Sequence, residues 1–107
     1  MAFNNETVIT LINKYITDVK NEMPIDKVYL YGSFVKGTQH DNSDIDICFF
    51  SEAFESQRNL DILTKLFLIK TKYDKEIFIE PYAFPTSELT NDNPFVKEIL
   101  RTGKQIA

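Results

Sequence analysis

Two carboxylates that stand two residues apart, Asp44 and Asp46, are the side chains whose type and spacing point most directly to chemistry. They lie at the start of the apolar run Ile45–Phe50, which follows a polar stretch and is typical of a strand. Side chains alternate across a strand, so both carboxylates are expected on one face. Their mutual repulsion would be relieved by a divalent cation. Oxygen ligands of this kind suit Mg²⁺ or Mn²⁺ that is shared with substrate phosphates.

A glycine–serine pair, Gly32-Ser33, follows the apolar run Val28–Tyr31 and precedes the two carboxylates. A glycine at a strand end lets the backbone turn sharply and approach a ligand, and the next residues can open a helical turn whose free N–H groups point at phosphate oxygens. Ser33 adds a hydroxyl to this cradle, and Lys36 could reach a triphosphate. A Gly-Ser pair or an Asp-x-Asp pair alone is common in ordinary turns and caps, whereas their combination at two strand ends predicts a metal–triphosphate site.

A calcium-binding loop over residues 41–52 is the competing interpretation of the same carboxylates. The sixth position of such a loop requires glycine, and here it is Asp46. Ile45 and Ile47 stand where the chain would have to curl around the ion. The calcium interpretation is therefore rejected.

The Gly-Ser-x-x-x-Gly turn that begins at Gly32, followed by the Ser-Asp-x-Asp stretch that ends at Asp46, resembles a known signature. It is similar to that of the DNA polymerase β-like nucleotidyltransferase superfamily, in its minimal nucleotidyltransferase branch. The resemblance implies a nucleotidyltransferase fold and Mg²⁺-dependent transfer of a nucleoside monophosphate, AMP from ATP, to an acceptor hydroxyl. Because both aspartates are present, it favours an active enzyme.

Members of that superfamily use a third carboxylate on a later strand, for which this sequence offers Glu80, with Glu76 as the alternative. The family more often has aspartate there. Glu76 lies beside other charged residues, whereas Glu80 lies inside an apolar run, where a buried carboxylate needs a metal or hydrogen-bond partner. The resemblance then implies two Mg²⁺ ions held by Asp44, Asp46 and Glu80, with Glu80 or Asp46 taking the proton of the acceptor.

The resemblance also implies a biological setting. Minimal nucleotidyltransferases of this size are similar to the antitoxins of bacterial toxin–antitoxin pairs, whose partner is a small helical HEPN-type toxin that they bind and adenylylate. Two alternatives stay open: a non-catalytic nucleotide-binding module that neutralises a partner by contact, and a small-molecule nucleotidyltransferase.

The elements that position these residues follow from hydrophobic periodicity. Helical spacing predicts a first helix over about residues 5–21 and a second over 57–73, and the two apolar runs around the motif predict the first two strands. In the second helix Leu60, Leu63 and Phe67 are expected to face the core, and the same face is widened by Leu66 and Ile69.

A third strand is predicted at Ile77–Phe84, weakened or ended by Pro81 and Pro85. The last predicted helix has Asn93 as its N-cap and Gly103 as its C-cap. This order of elements predicts an α+β fold, with a small mixed β-sheet flanked by helices.

The length and net charge of the chain limit the kinds of partner that are expected. The length of 107 residues predicts one domain over residues 1–107. A net charge of −4 argues against nucleic acid as a direct partner. The sequence shows neither a leader pattern nor an apolar run of membrane-crossing length, so a cytoplasmic protein without a membrane partner is expected. The single cysteine, Cys48, lies within a strand pattern, and we expect it to be buried for packing.

Overall fold

A computed structural model describes residues 5–32 and 44–107. Its elements, in chain order, are α1 (Asn5–Glu22), β1 (Lys27–Tyr31), β2 (Ile45–Ser51), α2 (Asn59–Lys70), β3 (Ile79–Pro85), α3 (Pro94–Thr102) and β4 (Lys104–Gln105). Short 3₁₀ turns follow β2, α2 and β3. Within the two described ranges, no helix is long and apolar enough to cross a membrane.

The four strands form one sheet in the order β3-β2-β1-β4. The strand β1 runs antiparallel to both β2 and β4, whereas β2 and β3 run parallel. The predicted α+β fold with a small mixed sheet and flanking helices is therefore confirmed. The strand β2 lies between β1 and β3, so the carboxylate on β2 has a neighbour on each side.

One face of the sheet packs on α1 and α2. Side chains alternate between the two faces of the sheet with a period of two. The buried strand residues on this face are Val28, Leu30, Ile45, Ile47, Phe49, Ile79 and Ala83. The Tyr15 hydroxyl of α1 donates a hydrogen bond of 3.0 Å to the carbonyl of Leu66, which ties α1 to α2. These contacts fix the sheet against two helices and leave its opposite face to α3.

The opposite face packs on α3 through a smaller cluster formed by Cys48, Phe50, Val96 and Ile99. Cys48 is completely buried, as expected for a packing residue. Asn93 caps α3 by accepting hydrogen bonds from the backbone N–H groups of Phe95 and Val96, at 2.9 and 3.3 Å. The predicted caps of α3 are confirmed, since the Gly103 N–H also donates to the carbonyl of Ile99. The alternation that buries Cys48 and Phe50 places Asp46 on this same face.

The predicted core face of α2 is wrong at two positions. Leu60 and Phe67 are 64% and 39% exposed, whereas Ile62 and Leu66 are buried. The helix is also shorter than predicted and continues as a 3₁₀ turn to Tyr73. Apolar residues occur nearly all round α2, so periodicity could not select the buried side, and packing on α1 and β3 selects it instead.

The third strand begins later and extends further than predicted, since β3 continues through Pro81 to Pro85. A proline lacks the N–H that a sheet ladder uses, and β3 tolerates it because it is the outermost strand of the sheet. The short strand β4 was not predicted. It pairs with β1 directly after Gly103, where an added Cβ would lie 2.8 Å from the Leu30 carbonyl oxygen.

Candidate active site

A row of three residues crosses the sheet where β1 ends and β2 begins. Tyr31 of β1 is the register partner of Asp46 of β2, and Asp46 is in turn the partner of Glu80 of β3. Register partners on adjacent strands share one face, so the Asp46 and Glu80 carboxylates are neighbours on the face that packs on α3. Asp44 is exposed and immediately precedes β2.

Gly32 brings the backbone against this row. Its φ angle is +82°, in the region that side-chain-bearing residues rarely adopt. A Cβ built on Gly32 would lie 2.2 Å from Oδ2 of Asp46, so only a residue without a side chain allows this close approach. Gly32, which begins the turn predicted to bind phosphate, therefore contacts Asp46, the carboxylate predicted to bind the metal.

Replacing Gly32 with alanine tests this packing. We expect Gly32→Ala to lower the free energy of unfolding by about 1–3 kcal/mol, because the residue is strained at positive φ. We also expect it to displace Asp46 and to reduce ATP binding, which calorimetry would measure beside urea unfolding. Gly103→Ala is the control, since its added Cβ would also meet an oxygen atom, the Ile99 carbonyl oxygen at 2.6 Å, but away from the carboxylates. Equal ATP binding by wild type and Gly32→Ala would contradict the assignment.

The electrostatics of the row centre on Asp46. Burial raises its pKa to about 6, and the charges of Asp44 and Glu80 contribute to the same shift. Asp46 is therefore within electrostatic reach of both Asp44 and Glu80. A bound divalent cation would lower the carboxyl pKa values instead of raising them, because it would favour the charged form of every carboxylate around it.

The donor chemistry of the row fits a hard cation such as Mg²⁺, which prefers oxygen ligands and leaves positions for water and phosphate. Across residues 5–32 and 44–107, no three His, Cys, Asp or Glu side chains are already gathered as a metal-binding set. Asp46 and Glu80 are paired across adjacent strands, and Asp44 is exposed at the entrance of β2. We therefore assign the metal to these three residues as a proposal that rests on carboxylate chemistry and on the raised pKa of Asp46.

Aromatic side chains lie directly behind the carboxylates on the same face. The Tyr31 and Tyr82 rings have centroids 5.7 Å apart, and Phe95 of α3 packs edge-on against both, at 5.9 and 5.4 Å. In the sequence Tyr31 only ends the apolar run before Gly32, and Tyr82 was not singled out. The available signal was the spacing of Tyr82 from Glu80, since residues two apart on a strand share a face.

The remaining predicted site residues are placed as follows. Glu80 lies in the row with Asp46, whereas Glu76, the alternative, is exposed in the turn before β3. Ser33 and Lys36 lie outside the described residues, so their assignment to the triphosphate stays a prediction. The described part of the site thus joins Gly32, Asp44, Asp46 and Glu80 at one end of the sheet.

A mixed sheet with neighbouring carboxylates beside a strand-ending glycine agrees with the nucleotidyltransferase fold expected from the sequence. The chain belongs to the family described as "Polymerase beta, Nucleotidyltransferase", whose model matches residues 13–107. The comparison with curated proteins gave no match.

Solved structures agree with this family. A chain of a toxin–antitoxin complex crystallised with AMP-PNP is 25% identical, with a TM-score of 0.58, over 86% of this chain and 69% of that one. A chain of a variant MntA-HpeT toxin–antitoxin is 21% identical, also with a TM-score of 0.58, over 99% and 73% of the two chains. A nucleotidyltransferase of Sulfolobus solfataricus, described as putative, is 17% identical with a TM-score of 0.56, over 99% and 88%. The last two likenesses, below 25% identity, bear on the fold alone, which is that of polymerase β-like nucleotidyltransferases.

Proposed function

We propose that this nucleotidyltransferase moves AMP from ATP to a hydroxyl group of a HEPN-type toxin, as the antitoxin of a toxin–antitoxin pair. The observation that supports the reaction best is the row of Asp46 and Glu80, with Gly32 in contact with Asp46. The observation that supports the setting is that a similar chain was crystallised in a toxin–antitoxin complex with AMP-PNP.

In the proposed site, the residues from Gly32 to Lys36 hold the outer phosphates of ATP. Asp44, Asp46 and Glu80 hold Mg²⁺, two ions by the resemblance, and the family typically uses divalent metals. When bound, the metal neutralises charge on the phosphates and makes the acceptor hydroxyl more acidic. The carboxylates of this chain would hold the positive charge of the metal beside the phosphate that is transferred.

The acceptor oxygen attacks the α-phosphorus of ATP and forms a new P–O bond. The bond from the α-phosphorus to the oxygen of the β-phosphate breaks, and pyrophosphate leaves with the bonding electrons. The acceptor proton passes to a carboxylate oxygen of Glu80 or Asp46, and their pairing on adjacent strands supports this proposal. Most of the expected acceleration comes from groups that are already aligned before reaction, as in other phosphoryl transfers.

Intact-mass spectrometry of a HEPN-type toxin partner, incubated with this chain, ATP and Mg²⁺, tests the proposal. We expect the toxin to gain the mass of one or more AMP units, and fragmentation to place them on a hydroxyl side chain. A parallel incubation with the double variant Asp44→Asn plus Asp46→Asn should leave the toxin mass unchanged.

Two other results would support a different function for this protein. A stable complex with the toxin but no change in its mass would support the non-catalytic binding module. Pyrophosphate release that needs an added small alcohol and no toxin would support a small-molecule nucleotidyltransferase. Transfer by the double variant at the wild-type rate would contradict the proposed metal site itself.

A further inference from the structure

Two tyrosines connect the aromatic cluster to the carboxylate row. Tyr31 lies on β1 and Tyr82 on β3, so β2 separates them, and strands are spaced at about 4.8 Å. Their backbones are thus about 10 Å apart, yet their ring centroids are only 5.7 Å apart. The register partner of Tyr82 on β2 is Cys48, whose small side chain leaves room for the two rings to lean together.

The Tyr31 hydroxyl has an unusual environment. It is buried and makes no hydrogen bond of normal geometry among the described residues, although it interacts with the Tyr82 hydroxyl. A buried hydroxyl without a partner destabilises a fold, and phenylalanine would fill the same space without that cost. A tyrosine at this position is explained if its hydroxyl finds a partner when the site is in use.

Tyr82 adjoins both the Tyr31 ring, whose centroid is 5.7 Å from its own, and the carboxylate row. It stands two residues after Glu80 on β3, so both side chains leave the same face of the strand. Its register partner on β2, Cys48, likewise stands two residues after Asp46. Phe95 packs edge-on against both rings and restricts their rotation.

We propose that Tyr31 and Tyr82 are positioning residues for the metal-binding carboxylates. The Tyr82 hydroxyl donates a hydrogen bond to a carboxylate oxygen of Asp46 or Glu80, and the Tyr31 hydroxyl donates to the Tyr82 oxygen. The inference rests on the proposed metal site and adds to it the two groups that orient the ligands. Partners of this kind hold ligating side chains in one orientation, and their loss typically weakens metal binding about 10- to 100-fold.

The test measures Mg²⁺ affinity by calorimetry, and urea unfolding in metal-free buffer, for Tyr31→Phe, Tyr82→Phe and the double variant. We expect Tyr82→Phe to weaken Mg²⁺ binding about tenfold and Tyr31→Phe about threefold, because it acts through Tyr82. The double variant should bind no more weakly than Tyr82→Phe alone. Tyr31→Phe should unfold at an equal or higher urea concentration than wild type, since the unpartnered hydroxyl is gone.

Tyr29→Phe is the matched control. Tyr29 lies on the same face of β1, and its hydroxyl donates to Gln105, 3.4 Å away, on the side remote from the carboxylates. Its Mg²⁺ affinity should equal that of wild type. Unchanged affinity in Tyr82→Phe and Tyr31→Phe, while Asp46→Asn abolishes binding, would overturn the positioning role alone. Wild-type protein that binds no Mg²⁺, with or without ATP, would overturn the metal site and this inference together.

Discussion

Asp46→Asn is expected to lower the rate of AMP transfer about a thousandfold and, in metal-free buffer above pH 7, to make the protein more stable than wild type. The loss of rate follows from removing a carboxylate that holds the metal, since metal ions supply several kcal/mol of transition-state stabilisation. The gain in stability follows from the surroundings of Asp46, where burial and two like charges oppose its ionisation. A residue that opposes folding and supports the reaction is typical of an active site.

The pH window of the stability effect follows from the raised pKa. The raised pKa lets the folded state hold the Asp46 proton up to about pH 6, whereas a free aspartate has a pKa of 3.8. Below pH 3.8 Asp46 is protonated in both the folded and the unfolded protein, so its contribution to the free energy of unfolding is fully present there. That contribution is lost as the pH rises through 6, where the carboxyl ionises in the folded protein as well. Because the side chain is partly exposed, we expect Asp46→Asn to gain about 1–2 kcal/mol above pH 7 and nothing near pH 4.

Urea unfolding with a chelator at pH 4, 6 and 8 measures this gain. Excess Mg²⁺ at pH 8 should then stabilise wild type more than Asp46→Asn, because the variant keeps only two of the three proposed ligands. Asp61→Asn is a suitable control, since the Asp61 side chain is 63% exposed and pairs loosely with Arg58 at 3.9 Å. A metal-free Asp46→Asn protein that is less stable than wild type at pH 8 would show that Asp46 is a structural residue.

Much of the site was predictable because it depends on local rules. The alternation along β2 fixes the face of Asp46, and the glycine after β1 fixes a sharp turn, without reference to the rest of the chain, whereas Asp44 lies just before the strand. The register that pairs Asp46 with Glu80 was not predictable in the same way. It depends on how α2 carries the chain from β2 to a parallel β3, which is a property of packing rather than of either strand.

The incorrect predictions for α2 and β3 and the omission of Tyr82 have a common cause. Leu60 and Phe67 were placed in the core because α2 is apolar around most of its surface, and only contacts with α1 and β3 decide which side is covered. Pro81 was expected to weaken or end its strand, yet an edge position removes the need for its missing N–H. Tyr82 was missed because its importance comes from Tyr31 on a strand two positions away. Each error concerns contacts between elements that are distant in sequence.

Glu80→Gln is expected to lower the rate of AMP transfer about 10²- to 10⁴-fold, the range typical for losing a general base, and the loss of a metal ligand acts in the same direction. Glu80 is the register partner of Asp46 on the adjacent strand, and its charge contributes to the raised pKa of Asp46. Glutamine keeps the size of the side chain and removes its charge, so β3 should stay folded. Urea unfolding would verify this before rates are compared.

Glu76→Gln is the matched control, because Glu76 was the other candidate for the third carboxylate. Glu76 is exposed in the turn before β3, where its backbone N–H donates to the Tyr73 carbonyl at 3.0 Å. Its side chain lies outside the row, and we expect Glu76→Gln to keep the rate within about twofold of wild type, as surface substitutions usually do. If Glu76→Gln were inactive and Glu80→Gln active, the third carboxylate would belong to the turn. The parallel register of β2 and β3 predicts the opposite result, since it places only Glu80 beside Asp46.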